Sequence, residues 1–202
     1  MRKRTLILSL SALLVVGLIV GHIALTAPKR RIDRFLTEVA NVEIGATKLQ
    51  DWREQLRAAG LQGASFSCEG ENCTISEQAQ IKALSTLRLA PLSGVAASVN
   101  FKEGIASEIY VWLEIDDHDI AGAMEPGTGA TIRLSMQSQS CPQHYCTYVR
   151  ERWGHPWGVV VMDSAASRKE RTRAFAINTD CLTRIGGCKK IETILPQVFG
   201  KS

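Results

Sequence analysis

Six cysteines have the most definite chemical options of any residues in this 202-residue chain. They fall into three close pairs, Cys68 with Cys73, Cys141 with Cys146, and Cys181 with Cys188. In an oxidising compartment such pairs close as disulfides, and of the 15 possible connectivities nearest-neighbour pairing is favoured because each pair brackets a turn. Each closed loop then stabilises the fold by roughly 2 kcal/mol on the chain-entropy account. Zinc is the competing chemistry. The first two pairs lie at the edge of the thiolate spacing that zinc uses, and His144 sits inside the second as a further donor. A redox site would call for a Cys-x-x-Cys step, which the chain lacks. Structural disulfides are therefore the expectation.

Two further groupings carry reactive types. Asp116, Asp117, His118 and Asp119 form the densest ionisable run. Carboxylates beside an imidazole could ligate a metal or exchange protons. Neighbouring residues point in different directions, however, so such a site would need His144 or His155 from elsewhere. Four polar residues after a strand and before Gly122 read more simply as a solvated loop. The second grouping is Tyr148, Arg150, Arg152, Trp153, His155 and Trp157, set around Gly154 and Pro156. Tyr, Trp and Arg are the types that dominate interface energetics, so this stretch is the candidate partner-binding site. The alternative is that Trp153 and Trp157 close the core beneath a turn at residues 154–156. The basic run from Arg168 to Arg173 reads as an exposed turn or as a contact for anionic headgroups. No nucleophile elbow, phosphate-binding loop, cofactor fingerprint or metal-ligand motif is present, so no catalytic, cofactor or metal residues are assigned.

The elements that must hold these residues begin with an apolar stretch. Residues 5–27 contain no Asp, Glu, Lys or Arg. At 1.5 Å per residue a helix of that length crosses a bilayer core. The stretch is longer than a signal-peptide core, and cutting after Ala27 would place Leu25 at −3 and Pro28 next to the cut, so an uncleaved anchor is expected. Basic residues flank both ends, which nearly balances the positive-inside rule. The paired cysteines then favour an extracytoplasmic domain. Overall charge is +4, from 24 basic and 20 acidic residues. The segment up to Arg34 holds seven of the basic residues and one acidic one, leaving 17 against 19. The domain is thus slightly acidic, and a nucleic-acid partner is not indicated.

Residues 1–31 read as the anchor with its basic flanks and 32–202 as one domain. Ile32, Phe35, Leu36 and Val39 form a helical stripe over residues 32–42, a possible stalk. A second helix is predicted from Thr47, boxed by Gln50, to a stop at Gly60. Hairpins are predicted for 65–68 with 73–76, around a four-residue loop, for 96–101 with 105–115, and for 131–136 with 145–149. The first of these sets Cys68 opposite Cys73 and Phe66 opposite Ile75. Strands at 158–162 and 174–178 follow, then a short helix at 191–199. Residues 81–89 are ambiguous between helix and strand. The fold class is α+β, with a mainly antiparallel sheet of hairpins. The function expected is a non-enzymatic binding or envelope-assembly module of a bacterial type, anchored in the inner membrane by residues 5–27, with its domain in the periplasm or outside. The alternative is an extracytoplasmic hydrolase or metal-dependent enzyme using the run from Asp116 to Asp119 with a histidine.

Overall fold

A computed structural model describes residues 2–80, 93–118, 124–136, 141, 143–182 and 188–200. The first helix, α1, runs from Arg2 to Ala40 and is followed by α2 (Leu49–Ala58). Seven strands come next: β1 (Ser65–Glu69), β2 (Asn72–Gln80), β3 (Ser93–Lys102), β4 (Ile105–His118), β5 (Met124–Ser135), β6 (Tyr145–Arg152) and β7 (His155–Asp163). The chain ends with α3 (Arg168–Phe175), a 3-10 turn (Thr179–Leu182), α4 (Ile191–Ile194) and α5 (Pro196–Phe199). The strands form one sheet in the order β1-β2-β3-β4-β5-β7-β6. Every neighbouring pair is antiparallel except β5 with β7. The architecture is α+β, with helices on one face of a mostly antiparallel sheet.

Strand alternation explains why the helices choose that face. Val95, Ala97, Val99 and Phe101 of β3, Ile109, Val111, Leu113 and Ile115 of β4, and Ala130, Ile132 and Leu134 of β5 all turn the same way and are buried. They meet Ile32, Phe35, Leu36 and Val39 of α1 and Trp52 and Leu56 of α2. Trp52 stands with its ring centroid 5.7 Å from both Phe35 and Phe101. The α1 stripe is therefore a core element and not a stalk. Polar contacts reinforce it. Lys29 Nζ lies 2.7 Å from Asp180 Oδ1, and Asp33 Oδ1 accepts from Thr179 Oγ1. Arg31 Nε is ion-paired with Glu77 Oε1 at 2.8 Å, and the other oxygen, the buried Glu77 Oε2, has no hydrogen-bond partner among the described residues. The helix passes through residue 31 unbroken, and Lys29 within it is ion-paired to the domain through Asp180. Among the described residues no helix is long and apolar enough to cross a membrane. The spanning role expected for residues 5–27 rests on the sequence alone.

All three nearest-neighbour disulfides are present, Cys68–Cys73, Cys141–Cys146 and Cys181–Cys188. The first hairpin has the predicted register, Cys68 opposite Cys73 and Phe66 opposite Ile75. Its loop is tighter than expected, because Glu69 also pairs with Asn72. The hairpin of β3 and β4 turns at Glu103 and Gly104, both at positive φ as a tight hairpin turn requires.

Four expectations need correction. Residues 131–136 do not form a hairpin with 145–149: β7 inserts between them, pairing parallel to β5 and antiparallel to β6. The run Gly158 to Met162 is apolar on both faces and buried throughout, as an interior strand demands, whereas β6 is largely exposed and takes the edge. The supposed strand at 174–178 is instead the end of α3 and the segment after it. Ser167 Oγ accepts from Glu170 N, and the Glu170 carboxylate accepts in return from Ser167 N, so a capping box starts a helix where a turn was expected. Thr47 does not box with Gln50, because its hydroxyl accepts from Glu43 N at 2.8 Å; Lys48 is the N-cap, without a side-chain bond. The last helix is broken at Pro196 into α4 and α5. The ambiguous residues 81–89 lie outside the described residues.

Candidate functional site

The β6–β7 hairpin builds the candidate site. Trp153 and Gly154 form its two-residue turn, at φ of 52° and 80°. Two successive positive-φ residues suit the right-handed twist of the flanking strands. Glycine adopts that region freely, but a tryptophan there is strained by a cost of order 1–3 kcal/mol. The turn throws the Trp153 ring outward, where it is 60% exposed. Arg152, the last residue of β6, lays its guanidinium 4.0 Å from the Trp153 ring centroid and 4.4 Å from that of Trp157. One cation thus contacts an exposed ring and a buried one.

Register places the rest. Cys146, Tyr148, Arg150 and Arg152 pair with Val161, Val159, Trp157 and His155, so all eight turn to the sheet face away from the helices. Trp157 is fully buried there, in a small second core with Val159, Val161 and Cys141, flanked by Trp112 and Cys146. Its indole N–H donates to Thr131 Oγ1 at 3.0 Å. The ring needs Gly129 beneath it: a Cβ at that position would stand 2.4 Å from the Trp157 ring and as close to the Leu113 carbonyl. Gly158, next along β7, does the same on the opposite face, where Ile191 would come within 2.5 Å of a Cβ. Around this small core Tyr148 is 44% exposed, Arg150 is exposed and His155 is half-buried. Tyr110 and Trp112 of β4 and Arg133 of β5 extend the same face. Arg133 is held by Glu108 at 2.5 Å, while Arg150 and Arg152 have no carboxylate within ion-pair distance among the described residues.

The six candidate residues therefore divide. Tyr148, Arg150, Arg152 and Trp153 come together on an accessible rim, His155 sits half-buried beside them, and Trp157 is core. Sequence reasoning missed Tyr110, Trp112 and Arg133. The signal was Trp112, which breaks the apolar-inward alternation of β4 because a second small core lies on its own side.

The alternative constellation is brought together only in part. The strand β4 runs on to His118, past a bulge after Ile115, so Asp116, Asp117 and His118 lie on strand backbone where a loop was expected. The pairing partner β5 begins at Met124 and carries the ladder that far. Since β5 runs parallel to β7, this end of β4 is the end that bears His155 and the Trp153-Gly154 turn. His144 stands at the other end of β6, its carbonyl accepting from Asp163 N. The eight-residue length of β6 separates the two histidines by about 26 Å. Asp119 lies outside the described residues. His144 pairs instead with Asp163, Nδ1 to Oδ2 at 2.9 Å. That hydrogen bond, with the Asp163 charge behind it, raises the His144 pKa above its ordinary 6.5 and lowers that of Asp163 below 3.8. The adjacent Ser164 hydroxyl donates to the Met136 carbonyl. All six cysteines are in disulfides and present no thiolate to zinc. Among the described residues no group of three His, Cys, Asp or Glu could hold a metal ion. No protein-family model, no curated protein and no solved structure matches the chain.

Proposed function

We propose that this protein is a membrane-anchored extracytoplasmic binding module, non-enzymatic, that holds an envelope protein partner on the helix-free face of its sheet. Residues 5–27 seat it in the inner membrane, and the disulfide-stapled domain stands in the periplasm or outside the cell. Three disulfides support the compartment, since such bonds persist where thiols are not kept reduced. The observation that carries the binding role is the Trp153–Arg152–Trp157 stack. A large ring is held out in water by a strained turn, beside two guanidinium groups that have no carboxylate partner among the described residues. Exposed Trp with Arg and Tyr around a buried anchor is the composition of an interface hot spot. Two unpaired guanidinium groups match a partner surface that presents carboxylates, which accept bidentate hydrogen bonds from Arg.

Affinity purification of the full chain from solubilised membranes, with Trp153→Ala and Arg150→Glu in parallel, tests this role. One protein is expected to co-purify with the wild-type chain and to be lost from both variants, while their melting temperatures stay near wild type. Equal recovery of that protein with wild type and both variants would refute the proposed face.

A further inference from the structure

A second site lies at the opposite edge of the sheet. Between α2 and the β1–β2 hairpin runs a groove of about 350 Å³. Buried Leu56, Leu61 and Ile75 form its floor, with the half-exposed Phe66 ring beside them. At its mouth stand Arg53 and Arg57, one helical turn apart and both exposed. The Arg53 guanidinium lies 4.5 Å above the Phe66 ring, and neither arginine has an ion-pair partner among the described residues. Arg57 lies in the last turn of α2, where a cation offsets the helix dipole, but that role does not account for Arg53 or for the apolar hollow below it. The groove also has a definite position along α1. The turn that follows α2 touches the helix, with Arg34 Nη1 3.8 Å from where a Gly60 Cβ would stand and Arg31 against Gly63. Arg34 is only seven residues beyond Ala27, a rise of about 10 Å along the helix. The headgroup layer of one leaflet is about 5–7 Å deep, so with residues 5–27 in the hydrocarbon core Arg34 and the turn it touches stand a few ångströms beyond that layer.

We propose that this groove receives the headgroup of an anionic phospholipid from the leaflet in which α1 is seated. The phosphate bonds to the forked donors of Arg53 and Arg57, and the carbon backbone of the headgroup lies on Leu56, Leu61 and Phe66. The inference rests on the membrane-anchor reading of residues 5–27 and adds a lipid preference to it. A seated lipid would fix the domain's tilt on the bilayer as well as its tether.

The test is native mass spectrometry of the full chain released from nanodiscs containing phosphatidylcholine and phosphatidylglycerol. Phosphatidylglycerol should be retained above its bulk ratio. The Arg53→Gln/Arg57→Gln double variant should lose that excess by roughly thirtyfold, in line with two interfacial charges, whereas Lys169→Gln on α3 should keep it. Retention at the bulk ratio, or equal retention by the double variant, overturns the lipid site while leaving the anchor intact. Displacement of the lipid by inorganic phosphate at millimolar concentration assigns the groove to a free anion and also overturns it. Failure of the wild-type chain to enter nanodiscs at all removes the anchor and the lipid site together.

Discussion

Trp153 and Trp157 stand four residues apart, and the hairpin between them gives them opposite roles. Trp157 faces a neighbour strand and is fully buried, with its indole N–H satisfied by Thr131. Trp157→Ala is therefore expected to cost about 3–5 kcal/mol in chemical denaturation, as large core truncations do. Trp153 lies on the turn itself, and its truncation should change stability by less than about 0.5 kcal/mol. Sequence composition marks both residues as interface types and cannot separate them, because the difference arises from whether β7 is an edge or an interior strand. His144 and Asp163 supply a pH signature at the same scale. The histidine pKa is raised, so its stabilising contribution is complete below pH 6.5 and fades as pH rises through the shifted value. The aspartate pKa is lowered, so its contribution is complete above pH 3.8 and fades on acidification. The pair is at full strength between those limits. An NMR titration of the His144 ring should show a midpoint above 6.5 that returns toward it in Asp163→Asn. A midpoint unaffected by that substitution would contradict the pairing.

Elements were legible where the chain signals them locally. The stripe Ile32, Phe35, Leu36 and Val39, the Cys68–Cys73 register and the alternation along β4 all arise from side-chain periodicity and match the structure. The order of the last three strands was not legible, because pairing β5 with β7 is a long-range choice among several compatible apolar strands. Helix α3 is a different kind of miss. Ser167 and Glu170 carry the capping-box spacing, but the charged run after them reads as a turn, and buried Ala174 and Phe175 look like the start of a strand. Ser167→Ala should cost about 1 kcal/mol, measurable by thermal or urea denaturation. No measurable loss would mean that tertiary contacts, such as the bond from Arg171 to the Val42 carbonyl, hold α3 in place without its cap. For the disulfides, non-reducing mass spectrometry should find the chain lighter by six hydrogens and devoid of alkylatable thiol. A free pair at Cys141 and Cys146 would remove the brace from the small core under Trp157.

At the scale of the whole molecule, one helix joins the apolar N-terminal segment to the domain core. Since α1 runs unbroken from Arg2 to Ala40 and is pinned by Lys29, Asp33 and Phe35, any body that holds its first half also holds the orientation of the sheet. Were residues 5–27 seated in a bilayer, as proposed above, the domain would be a fixed platform and not a tethered float. Alkaline phosphatase fused after Gly60 should be active and β-galactosidase at the same point silent; the reverse pattern would place the domain in the cytoplasm. On the proposed function, the helix-free face engages a partner through its aromatic and basic rim. A photo-crosslinking amino acid placed at Tyr148 in the full chain, irradiated in intact membranes, tests it most directly. One discrete adduct is predicted, absent when the same group is placed at exposed Gln50 on α2 and lost when Trp153→Ala is added. No adduct at Tyr148, or the same adduct from both positions, would contradict the claim.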